Sequence, residues 1–409
     1  MNKKFNIATL MLATSLAFTG CANNTTDEAG TKEETVVEEK AEETVDTADE
    51  NVETEAETTD EAAEETDAEN AEDAEEGETT EETAGEAEET ENEEASSDAD
   101  ALESNVVLHR AYPDEASRSF TNVVVATSGD KIVDAFIDEY QYFDEADEYQ
   151  AVPNSNQKFG EGAKEGRVLA SKIDNKDKYS QAMKEAGGEA TLIDNYNAVT
   201  DFVKGKTIAE LEDFLNENDD EAIIDALSGA TFKATPNLLK YVVEAAKDDA
   251  FVIEGHAENP DDIELRYALG APHGDRSFAN AVVAVEGDKI VAASLDEFQY
   301  IEEGVTKQGE GSEFAEDFAD SKTVLASKLE NDELYSDLMA EKADATKSIA
   351  ENFEAIENFV VGKTIDEIKE TIAGATEGEA IDAVSEATLV DTANYLQLII
   401  DTLENPINK

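Results

Sequence analysis

Residues 117–143 read SRSFTNVVVATSGDKIVDAFIDEYQYF, and residues 275–301 read DRSFANAVVAVEGDKIVAASLDEFQYI. The second stretch is the first, rewritten 158 positions on. The correspondence continues downstream. LASKIDNKDKYSQAM (169–183) returns as LASKLENDELYSDLM (325–339), and DNYNAVTDFVKGKTIAELE (194–212) as ENFEAIENFVVGKTIDEIK (351–369). The offset stays between 156 and 158, which marks a tandem duplication with small insertions and deletions. So long a period does not belong to a solenoid. Copies of this size suit two ordinary domains, expected here at 104–252 and 253–409.

Each copy reads as α+β. NVVVAT and KIVDAFIDEYQY flank Ser128-Gly129-Asp130, and the second copy has Glu286-Gly287-Asp288 there. Two β-rich runs around a short glycine turn predict a hairpin. Val133, Ala135 and Ile137 alternate on one face, matched by Val291, Ala293 and Leu295, and that face is expected to be core. Leu192, Tyr196, Val199 and Phe202 then recur at helical spacing, as do Ile349, Phe353, Ile356 and Phe359. Gly205 and Gly362 are placed to end those helices. Thr207-x-x-Glu210 and Thr364-x-x-Glu367 are capping boxes that open the next ones.

Upstream of 104 the chain changes character. Met1-Asn2-Lys3-Lys4 is a basic start, and Phe5 to Leu16 is an apolar run too short to span a bilayer comfortably. It ends in Ala17-Phe18-Thr19-Gly20-Cys21. Residues 1–20 read as a signal peptide, and Cys21, the single cysteine of the chain, as its lipidation point. Several acyl chains on one Cys give stable anchoring. Residues 22–103 are rich in Glu, Thr, Ala and Asp and hold no aromatic residue. Such a composition cannot bury enough apolar surface to offset chain entropy, so 21–103 is expected to be a disordered acidic linker. Self-repulsion extends it into a tether.

The formal net charge is −71, of which 104–409 carries about −39. A surface of that sign repels phosphate backbones, so nucleic acid is excluded as a partner. One cysteine allows no internal disulfide and no Cys-based metal or iron–sulfur site. Three histidines, His109, His256 and His273, are too scattered for a zinc site by spacing.

One phrase carries possible chemistry. Residues 225–235 read DALSGATFKAT and 382–392 read DAVSEATLVDT, each just before a helix whose apolar stripe is Leu239, Val242, Val243 and Ala246, or Leu396, Ile399, Ile400 and Leu403. Two readings stand. Thr231 and Thr388 are N-caps, or they present a hydroxyl where free backbone N–H groups and the helix dipole favour a phosphate. Gly229 and Ala230 leave room for a large group. Glu386 replaces that glycine in the second copy. It sets an anionic side chain beside the presumed phosphate, and it adds strain if the position needs positive φ.

The spelling D-x-x-S-G-A-T resembles the flavinylation motif of the FMN-binding domain family. Together with the lipoprotein start, the acidic tether and the tandem copies, the chain resembles the PplA-type flavoprotein lipoproteins of Gram-positive bacteria. Phrases such as H-G-D-R-S-F (273–278), G-D-K-I-V, V-P-N-S, L-A-S-K and F-V-K-G-K-T-I carry the likeness along the chain. The resemblance implies two FMN-binding-type domains after the linker. It implies FMN, up to two per chain, esterified through its phosphate to Thr231 and Thr388 by an FMN transferase that uses FAD as donor. Ser228, Gly229, Ala230, Asp225, Asp382, Ser385 and Ala387 complete the two motifs. Asp225 and Asp382 orient the acceptor loop or bind the transferase's metal. The implied role is an electron carrier rather than an enzyme with a dedicated substrate. It sits lipid-anchored on the extracellular face of the membrane, between a quinone-linked NADH dehydrogenase system and acceptors such as ferric iron or free flavins. The signal peptide of such proteins can yield a pheromone.

With domains free to swing on a tether, relay by collision is expected. Tyr140 and Tyr142, with Phe298 and Tyr300, read as core ahead of faces for the isoalloxazine ring. His273 and Arg276 are candidate contacts, but copy one has no His at the matching place, so His273 reads first as a surface histidine. Thr231 is expected to be the better acceptor, since Glu386 stands beside Thr388. A cofactor-free solute- or peptide-binding lipoprotein and an adhesion or wall-spacing protein would keep the anchor and tether, but neither explains the repeated phrase.

Overall fold

The computed structural model describes residues 104–113, 118–302, 305–309, 312–343, 345–376, 380–384 and 386–408. The signal peptide, Cys21 and the acidic linker lie outside the described residues, as does Ser385. The first copy contributes β1 (Val106–Ala111), β2 (Ser119–Ser128), β3 (Lys131–Asp144) and β4 (Arg167–Ser171). Helices α1 (Lys176–Glu185), α2 (Leu192–Val203), α3 (Ile208–Glu217), α4 (Asp220–Ala226) and α5 (Thr235–Ala245) follow. Strand β5 (Val252–Gly255) then pairs with β1 and closes the sheet order β4-β3-β2-β1-β5. It runs across the expected 252/253 boundary.

The second copy repeats the plan. Strands β6 (Glu264–Gly270), β7 (Ser277–Glu286), β8 (Lys289–Glu302) and β9 (Thr323–Ser327) form a second antiparallel sheet in sequence order. Helices α6 (Asp332–Ala343), α7 (Ile349–Val360), α8 (Ile365–Ala373) and α9 (Thr392–Glu404) follow. The segment after α9 lies along the outer edge of β6: the Ile407 amide donates to Tyr267 O at 2.8 Å, and the Asn408 side chain both accepts from the Tyr267 amide and donates to Leu265 O.

The hairpins form as the glycine turns require, with Gly129 and Gly287 at φ +59° and +66°. The boxes at Thr207–Glu210 and Thr364–Glu367 are present. Two further boxes, Thr191–Asp194 and Ser348–Glu351, open α2 and α7. The stripes of α2, α5, α7 and α9 are buried as their spacing predicts, except for Phe202 and Phe359, which are half-buried.

The expectation of one buried sheet face falls short. Strand β3 is buried continuously from Ile132 to Tyr140. The reason is a four-layer stack, helices–sheet–sheet–helices. Glu139 turns toward the helices, where Tyr196 of α2 donates to it at 2.6 Å. The even positions turn toward the other copy: Asp134 accepts the Leu265 amide at 2.9 Å, Phe136 packs on Tyr267, and Tyr140 stacks with Phe120 and contacts Phe278. A sheet covered on both faces loses the alternation that betrays a one-sided core.

The two copies are therefore fastened together, and the described residues form one compact unit. Freely swinging domains do not describe it. Each copy also lends a 3₁₀ turn to the other. Phe159, in the turn Lys158–Gly162, packs on Phe278 and Tyr300, and Phe314, in Glu313–Asp317, packs on Phe120 and Tyr142. Backbone bonds clip these turns to each other, Lys164 N to Asp317 O at 2.8 Å and Ala319 N to Gly162 O at 2.9 Å.

A polar knot sits between the sheets. Arg110 is fully buried and donates to Ser294 Oγ and O at 2.8 Å each and to Asn280 Oδ1 at 2.6 Å, all in the second copy. It also reaches Asn122 and Tyr112 of its own copy, and Tyr112 donates onward to Asp296 at 2.6 Å. Burial raises the Asp296 carboxyl above its ordinary range, and Arg110 opposes that shift. Burial also pushes Asp138 up to about 7 and Glu357 up to about 8.

Candidate functional site

The repeated phrases become matching tight turns. The Ala230 amide closes onto Leu227 O at 3.0 Å, and the Ala387 amide onto Val384 O at 3.2 Å. Gly229 sits at φ +94° and Glu386 at +80°. That is the left-handed region which a glycine enters freely and a glutamate enters under strain. The Glu386 side chain points to solvent and meets Lys347 Nζ at 3.2 Å. Position 190, the counterpart of Lys347 in the first copy, is Ala190, beside the uncharged Gly229. The negative charge feared beside Thr388 thus comes with a local cation.

Thr231 and Thr388 are both exposed, as are Asp225, Asp382, Ser228 and Gly229; Ala230 is half-buried and Ala387 buried. Neither threonine caps a helix. Helices α5 and α9 begin four residues further on, with Ala234 and Asp391 at their N-caps. The N-cap reading and the helix-dipole reading both give way. A buried asparagine does the holding instead. Asn195 of α2 accepts the amides of Thr231 and Phe232 through Oδ1 at 2.9 Å each, while its Nδ2 donates to Thr191 O at 2.7 Å. Asn352 of α7 repeats this, accepting the Thr388 amide at 2.7 Å and the Thr388 hydroxyl at 3.2 Å. Sequence reasoning missed both asparagines. The available signal was a polar residue at the same place inside two otherwise apolar stripes, DNYNAV and ENFEAI.

Beside Thr388 lies a cavity of about 440 Å³. Leu338, Met339, Ile349 and Val390 give it apolar walls, Lys328 and Lys342 are its cations, and His273 and Asp391 also border it. Val390 is left 53% exposed at this site, an apolar side chain without a cover. His273 is exposed, as a surface histidine would be, and it also borders this cavity, with its Nδ1 2.7 Å from Asp391 Oδ2. Lys328 is buried, 2.7 Å from Glu297 Oε2 and 4.4 Å from the centre of the Tyr335 ring. The same Glu297 accepts from Tyr395 and Ser277. In the first copy Lys172, Glu139, Tyr196 and Ser119 form the matching knot. Burial raises the Glu139 carboxyl, but Lys172 and its hydroxyl donors outweigh that and hold it below the ordinary range. The recurring phrases RSF, IDE or LDE, and LASK are thus the spelled-out parts of one buried network.

The ring-face candidates fare differently. Tyr140, Tyr142 and Phe298 are buried in the aromatic cluster between the sheets, which leaves them no face for a ligand. Part of their apolar cover comes from the other copy, which strand periodicity within one copy does not reveal. Tyr300 is half-buried, and its hydroxyl hydrogen-bonds that of Tyr142. Arg276 is exposed and lines a separate cavity. Among the described residues no group of His, Cys, Asp and Glu could hold a metal ion, and no helix is long and apolar enough to cross a membrane. No family model, curated protein or solved structure matches this chain.

Proposed function

We propose that this chain is a surface-anchored electron carrier with FMN-binding-type domains, holding FMN through phosphodiester bonds to Thr388 and Thr231. The observation that carries the reading is the pair of exposed threonines on turns pinned by buried asparagines, one of them opening onto a cavity of about 440 Å³. That volume falls in the range of small-molecule sites, which are mostly apolar with a few placed polar groups. Flavin supplies the electron chemistry, and the protein supplies attachment, orientation and electrostatics.

The chain's own part is to present the acceptor. Asn352 and Asn195 hold the loop backbone, which leaves the hydroxyl within reach of a transferase. In the attachment the Thr oxygen bonds to the flavin-side phosphorus of FAD. The pyrophosphate bond breaks, AMP leaves, and the hydroxyl proton passes to a base of the transferase. Lys342 then places positive charge beside the anionic linkage, and His273 lines the same cavity as a hydrogen-bonding group, within a strongly acidic body. Lipidation at Cys21 would hold the unit at the extracellular face, between a membrane quinone-linked NADH dehydrogenase system and acceptors such as ferric iron.

Intact mass after co-expression with an FMN transferase tests this. Two added FMN units are expected, with Thr231→Val and Thr388→Val each removing one. A chain that gains no mass and stays colourless under those conditions ends the proposal.

A further inference from the structure

Two cavities flank the join between the copies, and the duplication makes each a control for the other. Arg118, Gln141 and Tyr142 line the first; their counterparts Arg276, Gln299 and Tyr300 line the second. The first is about 180 Å³ and is filled by ion pairs: Arg118 Nε reaches Glu313 at 2.7 Å, and Arg167 spans Asp144 and Asp317 at 2.9 Å each. The second is about 450 Å³. There Lys158 stands where the first has Glu313, Gly162 where it has Asp317, and Thr323 where it has Arg167. Arg276 therefore faces Lys158 where Arg118 faces a carboxylate; the first cavity's further cations, Lys164 and Arg167, stand with Glu316 and Asp317. Lys158 keeps one partner, Asp275 at 2.8 Å, and Glu161 and Asp320 also line the wall. Gly162 lies so close to Tyr300 that a Cβ would fall 2.2 Å from the ring. Gln299 borders both this cavity and the one beside Thr388, so the two adjoin.

We infer that the second cavity binds a small anionic aromatic molecule, with its phosphate or carboxylate on Arg276 and Lys158 and its ring on Tyr300. Arg276 and Lys158 attract the anion against Glu161 and Asp320 in the same wall, and exposure makes that attraction salt-sensitive. An arginine over a planar anionic group supplies geometry as well as charge. Adjoining the Thr388 site, the bound molecule is a diffusible electron shuttle; that role rests on the proposed function, whereas the binding does not.

The test uses the full chain carrying both Thr231→Val and Thr388→Val, so that no flavin is attached. FMN is titrated and followed by its fluorescence, with riboflavin as the probe lacking phosphate and inorganic phosphate as competitor. One FMN per chain is expected, with riboflavin at least tenfold weaker and phosphate competing. Lys158→Glu and Arg276→Gln are each expected to weaken FMN at least tenfold, the former by giving Arg276 the carboxylate partner that Arg118 already has. FMN binding unmoved by both substitutions, or riboflavin binding as tightly as FMN, overturns the inference. Lys158→Glu in the chain with both threonines intact still gains two FMN units by mass. Absent loading with intact FMN titration would end the flavoprotein reading and leave this site standing.

Discussion

Arg110→Met removes the buried guanidinium that ties the two copies together while keeping much of its volume. Five acceptors lose their donor: Asn122 Oδ1, Asn280 Oδ1, Ser294 Oγ, Ser294 O and the Tyr112 hydroxyl. Asp296 also loses the cation that offsets its burial. Breaking one side of a buried ionic network costs about 3–5 kcal/mol, because the remaining groups stay desolvated without partners. Each orphaned acceptor alone costs about 1–3 kcal/mol, and these losses overlap. A destabilisation of about 4 kcal/mol is therefore expected, a large share of an ordinary domain's 5–15 kcal/mol. Arg110→Lys, which keeps charge but cannot span the same acceptors, should fall between. Urea unfolding followed by far-UV circular dichroism and by tyrosine fluorescence reads the change; the chain has 11 Tyr and no Trp. Wild type should unfold in one transition by both probes, since the copies share their core. A loss under about 1 kcal/mol in Arg110→Met, or two separated transitions in wild type, would refute the idea that this knot joins the halves.

Glu357, pushed up to about 8 by burial, keeps a proton in the folded chain that the unfolded chain releases near 4.5. Its contribution to stability is full below about pH 4.5 and is lost as pH rises toward 8, up to about 5 kcal/mol at 1.36 kcal/mol per unit. Glu357→Gln should flatten the fall in urea midpoint between pH 5 and 8; an unchanged slope would discount the buried acid. Glu386→Gly relieves a left-handed glutamate, worth about 1–2 kcal/mol, against the loss of an exposed pair worth at most about 1 kcal/mol and the extra chain entropy of glycine. A thermal midpoint raised by the equivalent of about 0.5 kcal/mol is expected, whereas Gly229→Ala should lower stability by about 1 kcal/mol. Asn352→Ala and Asn195→Ala should each cost about 1–3 kcal/mol and reduce FMN addition only at the threonine they hold, read by peptide mass. Equal loading in both variants would separate loop order from acceptor competence.

Much of this fold was legible because the chain states it twice. The hairpin around Gly129, the stripes of α2 and α7 and the boxes at Thr207 and Thr364 rest on neighbours within one copy, and local patterns report them. The contact between the sheets rests on residues far apart: Arg110 and Ser294 are 184 positions apart. No period in the sequence encodes that meeting, so the core reading of Tyr140 and Phe298 could not be told from a ring face until the other copy was seen to enclose them. The site divides in the same way. The turn and its positive φ follow from Ser-Gly-Ala-Thr, but the asparagine that pins it comes from 36 positions upstream. The helix start was misplaced because Thr235 and Thr392 are themselves plausible openers, and they, not Thr231 and Thr388, begin α5 and α9.

The segment after α9 has a consequence for handling the protein. By lying along β6 it covers a row of backbone groups that would otherwise be open, as β5 does for β1. Uncovered strand edges are templates for pairing with another chain. A variant trimmed back to Asn405 should therefore self-associate with rising concentration. An affinity handle belongs ahead of residue 104, where it cannot peel this cover away.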